Sequence, residues 1–165
     1  MELTKLLNRE HIFLDTRVQS DTDAIHRLGE VLKQSGYIND RYIDAVLARE
    51  IEFPTGLQLA QQGIAIPHAT PEGNVAENGI AVCRLEEPVV FHSMEDADDT
   101  VPVSMIFMLA LKDANEHLDM LQKLFTMFQQ EEQVEKLLTA STADDFPASL
   151  FIGLTVIMYR NLFIY

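Results

Sequence analysis

Residues 101–117 read VPVSMIFMLALKDANEH, and this stretch decides the fold class. Val101–Leu111 is nearly all apolar, as expected of a strand buried on both faces. Asp113-Ala-Asn-Glu116 then resembles a capping box. It opens a helix whose inward face is expected to carry Leu118, Leu121, Leu124, Phe125 and Phe128. Working upstream, Leu57–Ala60, Ile64–Ile66 and Gly79–Leu85 read as further strands, and residues 11–14 (HIFL) as a short edge strand. Ser20 followed by Asp23 is a helix start, with Ala24, Ile25, Leu28, Val31 and Leu32 at helical spacing and Gly36 just past the stop. A second helix spans about Asn39 to Glu50, burying Tyr42, Ile43, Val46 and Leu47, and Phe53-Pro-Thr-Gly56 breaks it. Downstream a shorter helix is expected over about Glu131–Leu138. Helices flanking a run of strands predict an α/β fold, a mixed β-sheet sandwiched between helices.

The chain has 165 residues, enough for one substantial core, and it shows no internal repeat or low-complexity linker. We read residues 1–147 as one domain and residues 148–165 as an atypical hydrophobic tail, ASLFIGLTVIMYRNLFIY. The tail's uninterrupted apolar stretch ends at Arg160, short of the roughly 20 residues a membrane helix needs. A packed terminal helix or strand is the expectation there, with an oligomer contact or weak membrane affinity as alternatives. The one cysteine, Cys83, lies in a strand-like run and has no internal partner for a disulfide. No basic flank followed by an apolar run opens the chain, so no signal peptide is expected and the protein reads as cytoplasmic. The net charge of −14 disfavours nucleic acid and anionic lipid, and favours basic protein partners or plain solubility.

The histidines offer the candidate chemistry. His11 and His92 flank apolar residues near strand ends, and His26 lies at the boundary of a helix's buried face; structural roles are the default for all three. His68 is different. In Gly63-Ile-Ala-Ile-Pro67-His68-Ala-Thr70 a short strand runs into a proline, which closes or edges a strand, so the next residue projects from the strand's end. Strand ends of α/β sheets are where ligand sites collect, and a neutral imidazole is a competent nucleophile near neutral pH. His117 falls in the first turn of the helix capped by Asp113, where free N–H groups and the helix dipole favour an anion. Arg49 ends the second helix and could grip phosphate oxygens in a fork. Taken singly, His117 also reads as a helix-top residue facing Glu116 or solvent, and Arg49 as a surface charge complementing the helix dipole.

Together these residues resemble a known family. The run Leu47-Ala-Arg-Glu-Ile-Glu-Phe-Pro-Thr-Gly56, then Gly63-Ile-Ala-Ile-Pro-His68, then Glu116-His117 before an amphipathic helix, is similar to the enzyme IIA domain of the bacterial phosphoenolpyruvate-dependent sugar phosphotransferase system, fructose/mannitol class (type 2). The resemblance covers about residues 5 to 145. It implies that His68 accepts a phosphoryl group from the phosphocarrier HPr and passes it to enzyme IIB, which works with a membrane enzyme IIC. It further implies that His117 assists the phosphoryl group, that Arg49 contacts it, that no cofactor or metal takes part, and that sugar is not bound here. The phrase Arg49-Glu-x-Glu-Phe-Pro-Thr-Gly56 is similar to galactitol-type members and suggests a polyol system. Family members usually finish with a soluble helix, and the tail departs from that pattern. Two other readings stand beside this one: a regulatory, nitrogen-type paralogue acting through its phosphorylation state, and a metal-dependent hydrolase using His68, His92 and His117. No compact His-x-x-x-His spacing supports the latter.

Overall fold

The computed structural model describes residues 3–146. The hydrophobic tail, whose form was the least constrained expectation above, lies outside these residues. The elements in order are α1 (Leu3–Leu6), β1 (Leu7–Thr16), α2 (Asp21–Gln34), α3 (Asp40–Glu52), β2 (Gly56–Gln58), β3 (Gly63–Ala65), β4 (Gly79–His92), β5 (Thr100–Ala110), α4 (Ala114–Phe128) and α5 (Glu131–Thr139). They form a five-stranded mixed sheet of order β1-β4-β5-β3-β2. β1 runs parallel to β4 and β3 parallel to β5, while β4–β5 and β2–β3 are antiparallel.

β5 sits at the centre of the sheet, and its side chains alternate between two cores. Met105, Phe107 and Leu109 join Met120, Leu124, Phe128, Val134 and Leu137 of α4 and α5. Ile106, Met108 and Ala110 join Ala24, Leu28, Tyr42, Ile43 and Val46 of α2 and α3. A period-two strand that is apolar on both faces can be buried only between two helical layers, and here it is.

The helix boundaries follow from local chemistry. Ser20 caps α2 by accepting the Asp23 N–H. At the other end Gly36, at φ +81°, donates to Lys33 O while Tyr37 N–H reaches Leu32 O. That reversal needs a left-handed residue and so suits glycine. Asn39 caps α3 through the Tyr42 N–H. α3 stops at Phe53 because the residue before Pro54 is pushed out of helical space.

Three expectations need correction. β4 continues beyond Leu85 to His92, through the exposed Glu86-Glu87 and Pro88, because the pairing with β5 slips between Arg84 and Val89. A bulge tolerates the proline and the solvated charges, and Val89 and Phe91 then turn inward again. The inward face of α4 is as expected at Leu124 and Phe128, with Leu121 and Phe125 partly buried against the same core, but it also takes in His117, Met120 and Met127, and Leu118 is 63% exposed. Nor is the box at Asp113 closed. Asp113 accepts from Asn115 N–H, but the Glu116 carboxylate takes the Asn78 side chain instead of reaching back.

Two further contacts hold the frame around the site. Gly63 lets β3 lie close against β5, since a Cβ there would collide with the Pro102 carbonyl oxygen. Buried Arg84 donates to the carbonyls of Leu137, Leu138 and Ala140 at 3.0, 2.9 and 2.7 Å, tying the end of α5 to the sheet.

Candidate functional site

His68 lies just past the C-terminal end of β3, and His117 sits in the first turn of the helix that follows the parallel neighbour β5. Two strands running the same way therefore deliver both imidazoles to one end of the sheet. Their ring centroids are 5.7 Å apart, with planes inclined by 31°. α3 supplies the third group. Tyr42 and Arg49 are seven residues apart, two helical turns, and so share a face.

His68 is held by its own backbone neighbourhood. Its Nδ1 lies 2.8 Å from the Ile66 carbonyl oxygen, and because a carbonyl only accepts, the proton is on Nδ1. A neutral ring then carries its lone pair on Nε2. Burial and the charge of Arg49 lower the His68 pKa against the pull of that carbonyl, so the ring is neutral at pH 7. The segment is pinned from below as well: the Leu109 N–H holds Pro67 O at 3.0 Å, and the buried Tyr42 hydroxyl donates to Leu109 O at 2.6 Å and accepts the Ala69 N–H.

The two partners of His68 are unsatisfied. His117 Nε2 and Arg49 Nε are both buried with no hydrogen-bond partner among the described residues. Burial, then the neighbouring His68 and Arg49, push the His117 pKa down to about 4. The Arg49 guanidinium rests on the Phe53 ring, 5.3 Å from its centroid, which limits its swing. Buried polar atoms left unpaired cost stability and call for an explanation. A guanidinium and a second neutral imidazole beside His68, each with a buried nitrogen left open, could accommodate a multiply charged anion there.

Of the other histidines, His11 packs edge-on against Tyr37 and bonds the Ser35 hydroxyl, and His92 bonds the Ala97 carbonyl. Among the described residues no group of three or more His, Cys, Asp and Glu side chains is placed to hold a metal ion. The hydrolase reading, which needs His92 beside His68 and His117, therefore loses its geometric basis.

Sequence reasoning missed Tyr42 as a prop, having read it only as core. It also missed Glu50. This carboxyl, next to Arg49, turns inward, is 7% exposed, and accepts the Thr55 N–H at 2.8 Å and the Thr55 hydroxyl at 2.9 Å. Burial, with the charge of Asp21 adding to it, pushes its pKa up to about 7. The sign of the pH effect follows. A carboxyl with a raised folded pKa binds its proton more tightly when folded, so its contribution is greatest below the unfolded value of 4.5 and is lost as pH rises toward 7. His117, lowered to about 4, acts oppositely: its contribution is present above pH 6.5 and is lost as pH falls through 4. The two slopes oppose one another in the wild type. Glu50→Gln removes one of them, so its unfolding free energy should gain roughly 2 kcal/mol more than wild type between pH 5 and 7.5. Urea midpoints at the two pH values measure this; equal changes in the two proteins would show that Glu50 titrates normally.

Comparison with known proteins places this geometry. The family model described as "Phosphoenolpyruvate-dependent sugar phosphotransferase system, EIIA 2" matches residues 5–151. The chain belongs to that family. It is thus a phosphotransferase component of the phosphohistidine-carrier type. It is 34% identical over 145 residues to a mannitol-specific enzyme IIA component of Staphylococcus aureus, covering 87% of this chain and 93% of the relative. A nitrogen regulatory protein IIA-Ntr from Neisseria meningitidis is 34% identical, with a TM-score of 0.74, covering 90% of this chain and 98% of that one. The Escherichia coli mannitol enzyme IIA, solved in complex with phosphorylated enzyme IIB, is 29% identical with a TM-score of 0.70, over 87% and 96% of the two chains. Among the described residues no helix is long and apolar enough to cross a membrane.

Proposed function

We propose that this protein is the cytoplasmic phosphocarrier of a hexitol transport system, taking a phosphoryl group from HPr onto His68 Nε2 and passing it to an enzyme IIB. One observation carries the reading: the lone pair of His68 is directed away from the Ile66 carbonyl, beside His117 and Arg49, whose buried nitrogens Nε2 and Nε have no hydrogen-bond partner among the described residues. Phosphoryl transfer demands little covalent chemistry beyond a positioned nucleophile and charge stabilisation of the equatorial oxygens. Here the nucleophile is neutral without a general base. The two cationic or polarisable groups are desolvated, which makes their interaction with the incoming charge strong.

The arrangement also suits a waystation. A phosphohistidine must be stable enough to persist between two protein encounters and labile enough to leave. His68 is half-buried, and exposed Leu118 and Phe53 stand next to the site on α4 and at the end of α3. The acidic surface (net −14) speeds encounter with a basic donor. The substrate expectation of galactitol rests on residues 49–56, whereas the S. aureus relative is mannitol-specific. Reconstitution with phosphoenolpyruvate, enzyme I, HPr and cognate IIB and IIC decides both points. Phosphoryl flow through this protein to galactitol or mannitol is expected, and labelling that never leaves it for a IIB would favour the regulatory reading drawn from its likeness to IIA-Ntr.

A further inference from the structure

The Ile66 carbonyl sets the tautomer of His68, and something must therefore set Ile66. Ile66 lies one residue beyond β3, outside the antiparallel pairing of β2 with β3, which ends at Gly56↔Ala65. Its buried N–H instead donates to the Thr55 hydroxyl at 3.1 Å. That hydroxyl is itself oriented: its own proton goes to the Glu50 carboxyl, which also takes the Thr55 N–H. A side chain thus extends the β2–β3 ladder by one rung, at the residue that touches the nucleophile. Beyond Ile66 the chain is equally constrained. Pro67 restricts Ile66 to extended conformations, and the Leu109 N–H fixes Pro67 O.

We propose that Thr55, with its hydroxyl aimed by Glu50, is a positioning residue for phosphoryl transfer: by holding the Ile66 N–H it fixes the carbonyl that keeps the proton on His68 Nδ1 and Nε2 free to attack. Thr55 does not touch the phosphoryl group. It acts through one residue of backbone on the ring's orientation and tautomer. The proposal also gives Glu50 a reason to be buried beside a site built to attract negative charge. Glu50 lines a cavity of about 320 Å³ together with Asp21, Thr22, Ile51 and His92, and its hydrogen bonds are spent on Thr55.

This inference rests on His68 being the phosphoryl acceptor, and its test separates the two ideas. Side-chain nitrogen chemical shifts of His68 in the unphosphorylated protein report the tautomer without any transfer reaction. Wild type is expected to show one tautomer, protonated at Nδ1. Thr55→Val, which keeps the volume and removes the hydroxyl, should show a mixture of tautomers. Its phosphorylation by HPr should fall about 10-fold in kcat with little change in KM, since misorientation penalises the chemical step. Thr55→Ser should restore both. If Thr55→Val does not fold, Thr55→Ala serves for the same two readouts. An unchanged His68 tautomer in a folded variant lacking the hydroxyl overturns the positioning role, as does a serine variant that behaves like the valine one. Labelling of wild type at a residue other than His68 would defeat the acceptor reading, while the tautomer shift would still stand on its own.

Discussion

His68→Ala is expected to abolish labelling of this protein by phosphoenolpyruvate, enzyme I and HPr. The expectation comes from the geometry of the alternatives as much as from His68 itself. His117 is the only other imidazole near the site among the described residues, and it cannot simply substitute. It sits at the opposite wall, with its pKa pushed to about 4 by burial and by its neighbours, and no carbonyl is seen to set its tautomer. In-line transfer requires the attacking atom to lie opposite the leaving nitrogen of the donor, and moving the nucleophile by the 5.7 Å between ring centroids breaks that alignment. Intact-mass measurement after incubation should show one acid-labile phosphoryl group on wild type and none on the variant. Undiminished labelling of His68→Ala would sink the acceptor assignment. Folding is not at issue, because His68 is only half buried and its removal opens the site to solvent instead of hollowing a core.

Much of this architecture was legible in the sequence because its signals are local. The both-faces apolar run at Val101–Leu111, the helix start at Ser20 and the stop at Gly36 each carry their reason within a few residues. His68 was legible for the same cause, since Pro67 marks the strand end. What the sequence hid depends on contacts across the fold. Glu50 was read only as the end of a helix, and Thr55 as part of the segment that breaks it. Only the approach of β3 to the α3–β2 turn turns them into a buried pair on Ile66. One position of α4 was misread for a related reason. Leu118 was expected to face inward, yet it is exposed while the more polar His117 is buried, its ring against that of His68. The extension of β4 past Leu85 escaped because bulges carry no hydrophobic period to read.

The second large effect is expected at His117. In His117→Ala the nucleophile, its tautomer and its Nδ1 contact to Ile66 are intact, so labelling by HPr should survive. Onward transfer to IIB should slow by about 100-fold, the usual cost of deleting one donor from a desolvated charge-stabilising site. That factor corresponds to about 2.7 kcal/mol of lost transition-state stabilisation. The reason for an unequal effect lies in the resting site. Before phosphorylation burial holds the His117 pKa low, the neighbouring His68 and Arg49 lower it further, and its Nε2 is unpartnered. A dianionic phosphoryl group on His68 reverses that field and favours a proton on His117, which can then donate as the metaphosphate-like group departs. His117 is thus expected to contribute most when charge is leaving, whereas acceptance of the group is expected to lean on the free lone pair of His68. His117→Gln, which restores a donor of fixed protonation, should recover part of the rate but none of its pH dependence. Stopped-flow transfer from purified phosphoprotein to IIB across pH 6 to 8 distinguishes the two variants, and transfer at the wild-type rate in His117→Ala would reduce His117 to a structural residue that tops α4.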